Sequence, residues 1–246
     1  MICQQEFIAV TFKEQESDEL NVLSPFSFHI SMSCSIIIPT YNRKKFEKLI
    51  SFNIRCQDYP HILEVIVGDD GDEMLELDVP YPIRYIKCPR MKIGEKRNLL
   101  CYYASGKYIA HMDTDDIYFS TFISHTIGVI ESEKKDAAGT SDMIFMYADG
   151  KKGAMRNPFL SMANEATLVY KKTFWEEKGF SEQQSSEGIS FLEGRHWQIG
   201  HTDVTKQMIC LCHSSNTVDK NPWREFNVNQ FPNYDSHKAI LEEISL

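Results

Sequence analysis

The chain has 246 residues, 42% of them hydrophobic, with 26 basic against 35 acidic side chains and a formal net charge of −9. That balance excludes a general nucleic-acid binder, which needs a basic face, but leaves room for a nucleotide held by a local cluster of cations. The length suits one soluble α/β domain with a sizeable core, and no stretch approaches the roughly 18 to 20 continuous apolar residues of a membrane span.

Residues 1–32 read as an N-terminal extension. Gln, Glu, Lys and Asp interrupt its start, so no secretory leader is expected. Its apolar pieces, Phe7 to Phe12 and Val22 to Ile30, are candidates for an edge element. From 33 to 246 the chain reads as one domain, split near residue 130. Strands are predicted near 35–38, 63–67, 83–87 and 107–112, alternating with helices near 44–56, 93–104 and 120–134, the pattern of a mostly parallel sheet flanked by helices. Gly106 is a natural stop for the helix before the Tyr108 strand. Further on come strands at Ser141 to Tyr147, Ala166 to Tyr170 and Gln207 to Cys212. A helix is predicted near Lys172 to Lys178, and a terminal one from Asp235 to Leu246. Seven cysteines without paired C-x-x-C spacing suggest reduced thiols, and a cytoplasmic protein is the expected setting. Cys210-Leu211-Cys212-His213 is at most half of a zinc site, since no second ligand cluster accompanies it. Asn216-Thr217 is not a glycosylation signal, because Val218 breaks the motif.

The chemistry concentrates where apolar strands stop. Ile109 to Met112 runs directly into Asp113-Thr114-Asp115-Asp116, a D-x-D-D cluster. Like charges a few ångströms apart repel and raise one another's pKa, a penalty that a hard cation with oxygen ligands removes. The alternative is a helix start, with Thr114 or Asp113 as cap and the acids complementing the helix dipole. Glu64 to Val67 likewise ends in Gly68-Asp69-Asp70-Gly71, for which a simple Asp-Gly turn is the competing reading. Ser35 to Ile38 stops at Pro39-Thr40-Tyr41-Asn42-Arg43. Lys96 and Arg97, normally a solvated helix face, lie just upstream of the acidic strand end.

Four segments in order, SIIIPTYNR at 35–43, VGDDG at 67–71, GEKRN at 94–98 and ASGKYIAHMDTDD at 104–116, resemble the nucleotide-sugar half of GT-A fold glycosyltransferases of the family-2 type. More loosely, the short chain is similar to compact glycosyltransferases of large DNA viruses, which would place it in a host cytoplasm. The resemblance implies that Pro39, Thr40 and Tyr41 line a uracil and ribose pocket, with Asp70 accepting a hydrogen bond from the base. Lys96 or Arg97 would face the nucleotide or its diphosphate. Asp113, beside Thr114, would reach the ribose hydroxyls. Asp115, with Asp116 as a second ligand and His213 as a late one, would hold Mn²⁺ or Mg²⁺ on the diphosphate of a UDP-sugar donor, UDP-glucose being the first choice.

The second half departs from that family. Inverting members carry a Glu-Asp pair whose Asp deprotonates the acceptor, and the matching stretch here is Glu187-Gly188. Either Glu187 serves as the base, with Glu182 and Glu193 as competitors, or the reaction retains configuration without a carboxylate base, which the missing Asp slightly favours. Arg195, His196, Trp197 and Trp223 are candidates for an acceptor platform, although tryptophans are more often core residues. Asn216, Thr217, Lys220 and Asn221 are candidates for a loop over the diphosphate. The acceptor implied is a hydroxyl of a sugar or glycosylated protein, with galactosyl-hydroxylysine of a collagen-like chain as one specific case. Two other classes stay open, a nucleotidyltransferase and a non-catalytic UDP-sugar-binding module. The sequence does not fix the oligomeric state.

Overall fold

A computed structural model describes residues 9–13, 32–156, 163–183, 187–214, 216, 219–224 and 231–244. Its centre is strand β2 (Cys34–Thr40), paired in parallel with β3 (Ile62–Asp69) on one side and β5 (Tyr108–His111) on the other. Every β2 residue is buried, as a strand covered on both faces requires. Its isoleucines divide by parity. Ile36 and Ile38 join Val65, Val67, Ala110 and Met112 on one face, and Ile37 joins Ile66 and Ile109 on the other. That period of two gives the sheet two cores.

Helices cover both faces. Helix α1 (Glu47–Arg55), entered through a 3₁₀ turn at Lys44–Phe46, and helix α3 (Phe122–Ser132) send Ile50, Ile54, Ile123 and Ile127 into the first core. Helix α2 (Ile93–Tyr103) lays Leu100 and Cys101 on the second. Gly68 lets α2 sit this close, because a Cβ there would stand 2.8 Å from Leu100 Cδ2.

The large sheet is parallel through its centre, as expected, with antiparallel strands joining it further out. Its order is β1 (Ala9–Lys13), β4 (Ile83–Lys87), β3, β2, β5, β10 (Val169–Lys171), β7 (Ala137–Gly139), β11 (Ile199–His201). The β4-β3-β2-β5 centre is parallel, whereas β1 and β10 run antiparallel to their neighbours. Part of the Phe7 to Phe12 piece thus lies in an edge strand, and Val22 to Ile30 falls outside the described residues. A second sheet, ordered β6 (Ile117–Tyr118), β12 (Met208–Cys212), β8 (Met143–Tyr147), β9 (Lys152–Met155), packs with Phe46, Leu49 and the short C-terminal helix (Lys238–Glu243). The predicted 166–170 strand opens instead as a 3₁₀ turn, Glu165–Thr167, before β10. Helices α4 (Lys172–Glu177) and α5 (Glu187–Leu192) cover the second core with Phe174, Phe191 and Leu192. Among the described residues no helix is long and apolar enough to cross a membrane.

Candidate active site

The carboxyl ends of β2, β3 and β5 point to one edge of the sheet, where ligands of open α/β sheets bind. A cleft of about 290 Å³ lies there. Pro39, Thr40, Tyr41, Lys96, Arg97, Asp113, Thr114, Asp115, Asp116 and Glu187 all line it. Of the residues expected to hold the nucleotide or the metal or to act as base at position 187, the structure brings together all but Asp70 and His213, which stand behind Lys96 and Asp115.

The adjacent acids after β3 do different jobs. Asp69 closes the turn: its carboxylate accepts from the Gly71 N–H at 2.8 Å and the Tyr85 hydroxyl at 2.7 Å. Asp70 turns the other way and is enclosed, taking Lys96 Nζ, Arg90 Nη1 at 3.1 Å and the Met91 N–H at 3.1 Å. With its side chain fully buried, Asp70 meets the cleft through its two cations rather than by itself. Burial pulls the Lys96 ammonium below its usual range, against the pull of Asp70. Lys96 also donates to the Thr40 carbonyl at 2.8 Å. Arg90 lies over the Tyr41 ring, 3.6 Å from its centroid, a stacked pair that walls the same end. The Thr40 hydroxyl beside them is buried and has no hydrogen-bond partner among the described residues, a cost that a bound ligand would remove.

Arg97 organises the middle. Its Nε donates to Glu187 at 2.8 Å, its Nη1 to His111 Nδ1 at 2.9 Å, and its Nη2 lies 3.5 Å from Asp113. Burial opposes the charge, but Asp113, Glu187 and Glu165 together outweigh it and keep the guanidinium cationic. Because Arg only donates, His111 Nδ1 must accept, which leaves Nε2–H for the Tyr170 hydroxyl 2.7 Å away. Burial and the neighbouring Arg97 hold that imidazole neutral, well below its ordinary pKa.

At the other end Asp115 sits between His213 Nε2 at 3.1 Å and Arg43 Nη2 at 3.4 Å. Burial alone would raise its pKa, yet these partners hold it below the usual carboxylate range. Asp113 is raised by burial, against Arg97. Asp116 differs from expectation. It is only 5% exposed, accepts from the Leu211 N–H at 3.0 Å, and burial pushes it well above the carboxylate range. Its carboxyl fastens β12 to the strand end, so Asp115 and His213 are the better placed of the three expected ligands. Among the described residues no three acidic, histidine or cysteine side chains form a ready-made cation cage. That pattern fits Mg²⁺ or Mn²⁺ carried on a diphosphate, since Mg²⁺ usually takes one or two carboxylates plus phosphate oxygens and water. It does not fit zinc on Cys210 and Cys212, whose buried thiols lie on β12 while His213 turns to Asp115.

The acceptor platform read from the sequence is dispersed. The Arg195 guanidinium packs 3.6 Å from the Phe174 ring in the second core, Trp197 is 65% exposed, and Trp223 stacks on Phe145. None of these, nor His196, lines the cleft. Glu182 and Glu193 are exposed and also stand outside it. Asn216 and Lys220 do line it, and border a neighbouring cavity of about 530 Å³ with His213. Sequence reasoning missed Arg90 and Glu165. Arg90 lies in a Pro-flanked loop without a strand-end pattern, and Glu165 sits in a segment whose spacing pointed to a strand start.

Residues 35–193, well over half of the chain, match the model of the glycosyl transferase family 2 domain. The chain belongs to glycosyl transferase family 2. Over 147 residues, 56% of this chain but 25% of the relative, it is 26% identical to the poly(ribitol-phosphate) beta-N-acetylglucosaminyltransferase TarS of Staphylococcus aureus. The chain thus spans about a quarter of the length of that curated relative. Among solved structures, S. aureus TarS in complex with UDP-GlcNAc superposes with a TM-score of 0.57 at 19% identity, covering 75% of this chain and 60% of that one. The mannosyltransferase PcManGT from Pyrobaculum calidifontis, in complex with GDP-Man and Mn²⁺, gives 0.54 at 15% identity over 77% and 58%. These likenesses establish the GT-A fold. Family 2 membership also selects the glycosyltransferase class over the nucleotidyltransferase that the sequence left open.

Proposed function

We propose that this family 2 protein transfers a hexosyl group from a UDP-sugar to a hydroxyl of a sugar or glycosylated protein, with a divalent metal on the diphosphate. The observation that carries the reading is the meeting, in one cleft, of Asp113 and Asp115 with Lys96, Arg97, Arg43 and Lys220. Carboxylates facing cations across an open space suit a ligand that is itself anionic and brings a cation. Asp115 and His213 would hold Mn²⁺ or Mg²⁺, which supplies Lewis-acid stabilisation of the departing diphosphate.

The remaining work falls to the chain. Tyr41, backed by Arg90, offers a flat surface for a base, and beside it Thr40 supplies a hydroxyl with no partner among the described residues. Lys96 and Arg97 are fixed by Asp70 and Glu187 before any ligand arrives, so the field they direct at the leaving group costs no reorganisation during reaction. Lys220 and Asn216 cover the opposite side. UDP-glucose is the first donor to try. The TarS complex with UDP-GlcNAc and the PcManGT complex with GDP-Man define the alternatives, because epimers and N-acetyl groups are distinguished by one or two contacts.

The test is nucleoside diphosphate release from UDP-glucose, UDP-GlcNAc, UDP-galactose and GDP-mannose, with water, simple sugars and a galactosyl-hydroxylysine peptide as acceptors. Turnover of a UDP-sugar in preference to GDP-mannose supports the reading. Binding without turnover of any donor would mark a non-catalytic module instead.

A further inference from the structure

We infer that Glu165, reaching the cleft from the 3₁₀ turn before β10, takes the acceptor's proton, filling with its carboxylate the space that a side chain at position 188 would otherwise occupy. The inference rests on the transferase reading above and names a residue within that site.

Two observations place it there. A Cβ added to Gly188 would stand 2.5 Å from Glu165 Oε1 and 2.7 Å from its Cδ, so that volume already holds a carboxylate, delivered from another segment. The Gly188 N–H donates to Oε1 at 2.8 Å, which orients the group. The other cleft acids are engaged. Glu187 is bound by Arg97, Asp115 by His213 and Arg43, and Asp116 by the Leu211 N–H. Asp113 has Arg97 at 3.5 Å. Among the described residues no lysine, arginine or histidine stands within ion-pair distance of Glu165, and it is partly exposed where Glu187 is 3% exposed.

The charged groups around it are Glu187 from α5 and Arg97 from α2, with the neutral His111 behind them on β5. Burial and the Glu187 charge raise the Glu165 pKa, against Arg97. A carboxylate moved toward neutrality accepts a proton more readily. In the step, the acceptor O–H gives its proton to the Glu165 carboxylate as the oxygen forms its bond to the anomeric carbon. The bond from that carbon to the diphosphate oxygen breaks, and the diphosphate leaves with the electron pair. The expectation of retained configuration rested on the lack of a carboxylate at Gly188. With Glu165 in that space a carboxylate base is at hand, and the ground for expecting retention is removed.

The experiment compares donor hydrolysis, with water as acceptor, in wild type, Glu165→Gln, Glu165→Asp, Glu187→Gln, Gly188→Asp and the double variant Glu165→Ala/Gly188→Asp. UDP binding in the presence of Mn²⁺ serves as the check of folding. Glu165→Gln is expected to lose about 10²- to 10⁴-fold in kcat, keep UDP affinity, and lose the acid limb of the pH–rate profile. Glu165→Asp keeps the limb at reduced rate. Glu187→Gln slows the enzyme through Arg97 but also keeps it. Gly188→Asp alone is impaired by the clash, and removing Glu165 in the double variant restores turnover by returning a carboxylate to the same space. A Glu165→Gln enzyme with wild-type rate and an intact acid limb overturns the assignment alone. A wild type that turns over no donor with water, simple sugars or the galactosyl-hydroxylysine peptide overturns the transferase reading together with it.

Discussion

Replacing Arg97 with Met separates the electrostatic account of the cleft from a purely steric one. The residue is 4% exposed, and its guanidinium is the cation for Glu187, itself 3% exposed, as well as a donor to His111. Methionine keeps much of the stem volume, so the loss is chiefly one of charge and hydrogen bonds. Breaking a buried pair from one side costs about 3–5 kcal/mol, because the remaining carboxylate is left uncompensated. Against a total stability of about 5–15 kcal/mol for a domain, that is a large fraction. Equilibrium urea unfolding of the variant at pH 7.5 should show a lower midpoint whose product with the unchanged slope gives a loss of that size. The double variant Arg97→Met/Glu187→Leu should recover at least half of the loss, since an apolar pair replaces an orphaned charge. A single-variant cost below about 1 kcal/mol, or a double variant no more stable than the single, would refute the reasoning.

Three further outcomes are expected. His111 and His237 are both buried with pKa values lowered chiefly by burial, so they are neutral in the native state and take up protons on unfolding. Their contribution to stability is present above about pH 6.5 and is lost as pH falls from there, by up to about 1.4 kcal/mol per pH unit for each imidazole. Urea midpoints measured at pH 7.5, 6.5 and 5.5 should fall accordingly, and less steeply in His237→Asn. Ile37→Ala, at a fully buried position on the central strand, should cost about 2–5 kcal/mol in the same assay. Lys220→Met should weaken UDP binding roughly 10- to 100-fold by calorimetry, the worth of one hydrogen bond to a charged group. Unchanged affinity would remove Lys220 from the diphosphate site.

What could be read from the sequence followed physical regularity. Ile36 to Ile38 and Val65 to Val67 are continuous apolar runs closed by Pro or Gly, so the parallel centre of the sheet and the residues at its carboxyl edge were legible together. Lys96 and Arg97 were legible as cations near the acids, but their fixed partners were not. Glu187 lies 90 residues from Arg97, and the Glu165 carboxylate reaches the volume beside Gly188 from 23 residues away. Chain-distant contacts of this kind leave no periodic trace. The mixed character of the sheet was hidden because β10 and β7 are only three residues each, too short to show alternation. Asp115 and Asp116 are adjacent and chemically identical. Only packing against β12 decides that one meets His213 and Arg43 and the other holds a backbone N–H. The tryptophans misled for a related reason, since an aromatic that stacks on Phe145 and one that faces solvent read alike.

The proposed function places a nucleotide sugar in this cleft, on a metal held at Asp115. The most direct measurement is nucleoside diphosphate release from the donor panel with Mn²⁺, Mg²⁺ or EDTA, comparing wild type with Asp115→Ala. Release from one UDP-sugar should require the metal and fall by orders of magnitude in the variant, while the variant's urea midpoint stays close to wild type. Release that is indifferent to EDTA and to the substitution would contradict it.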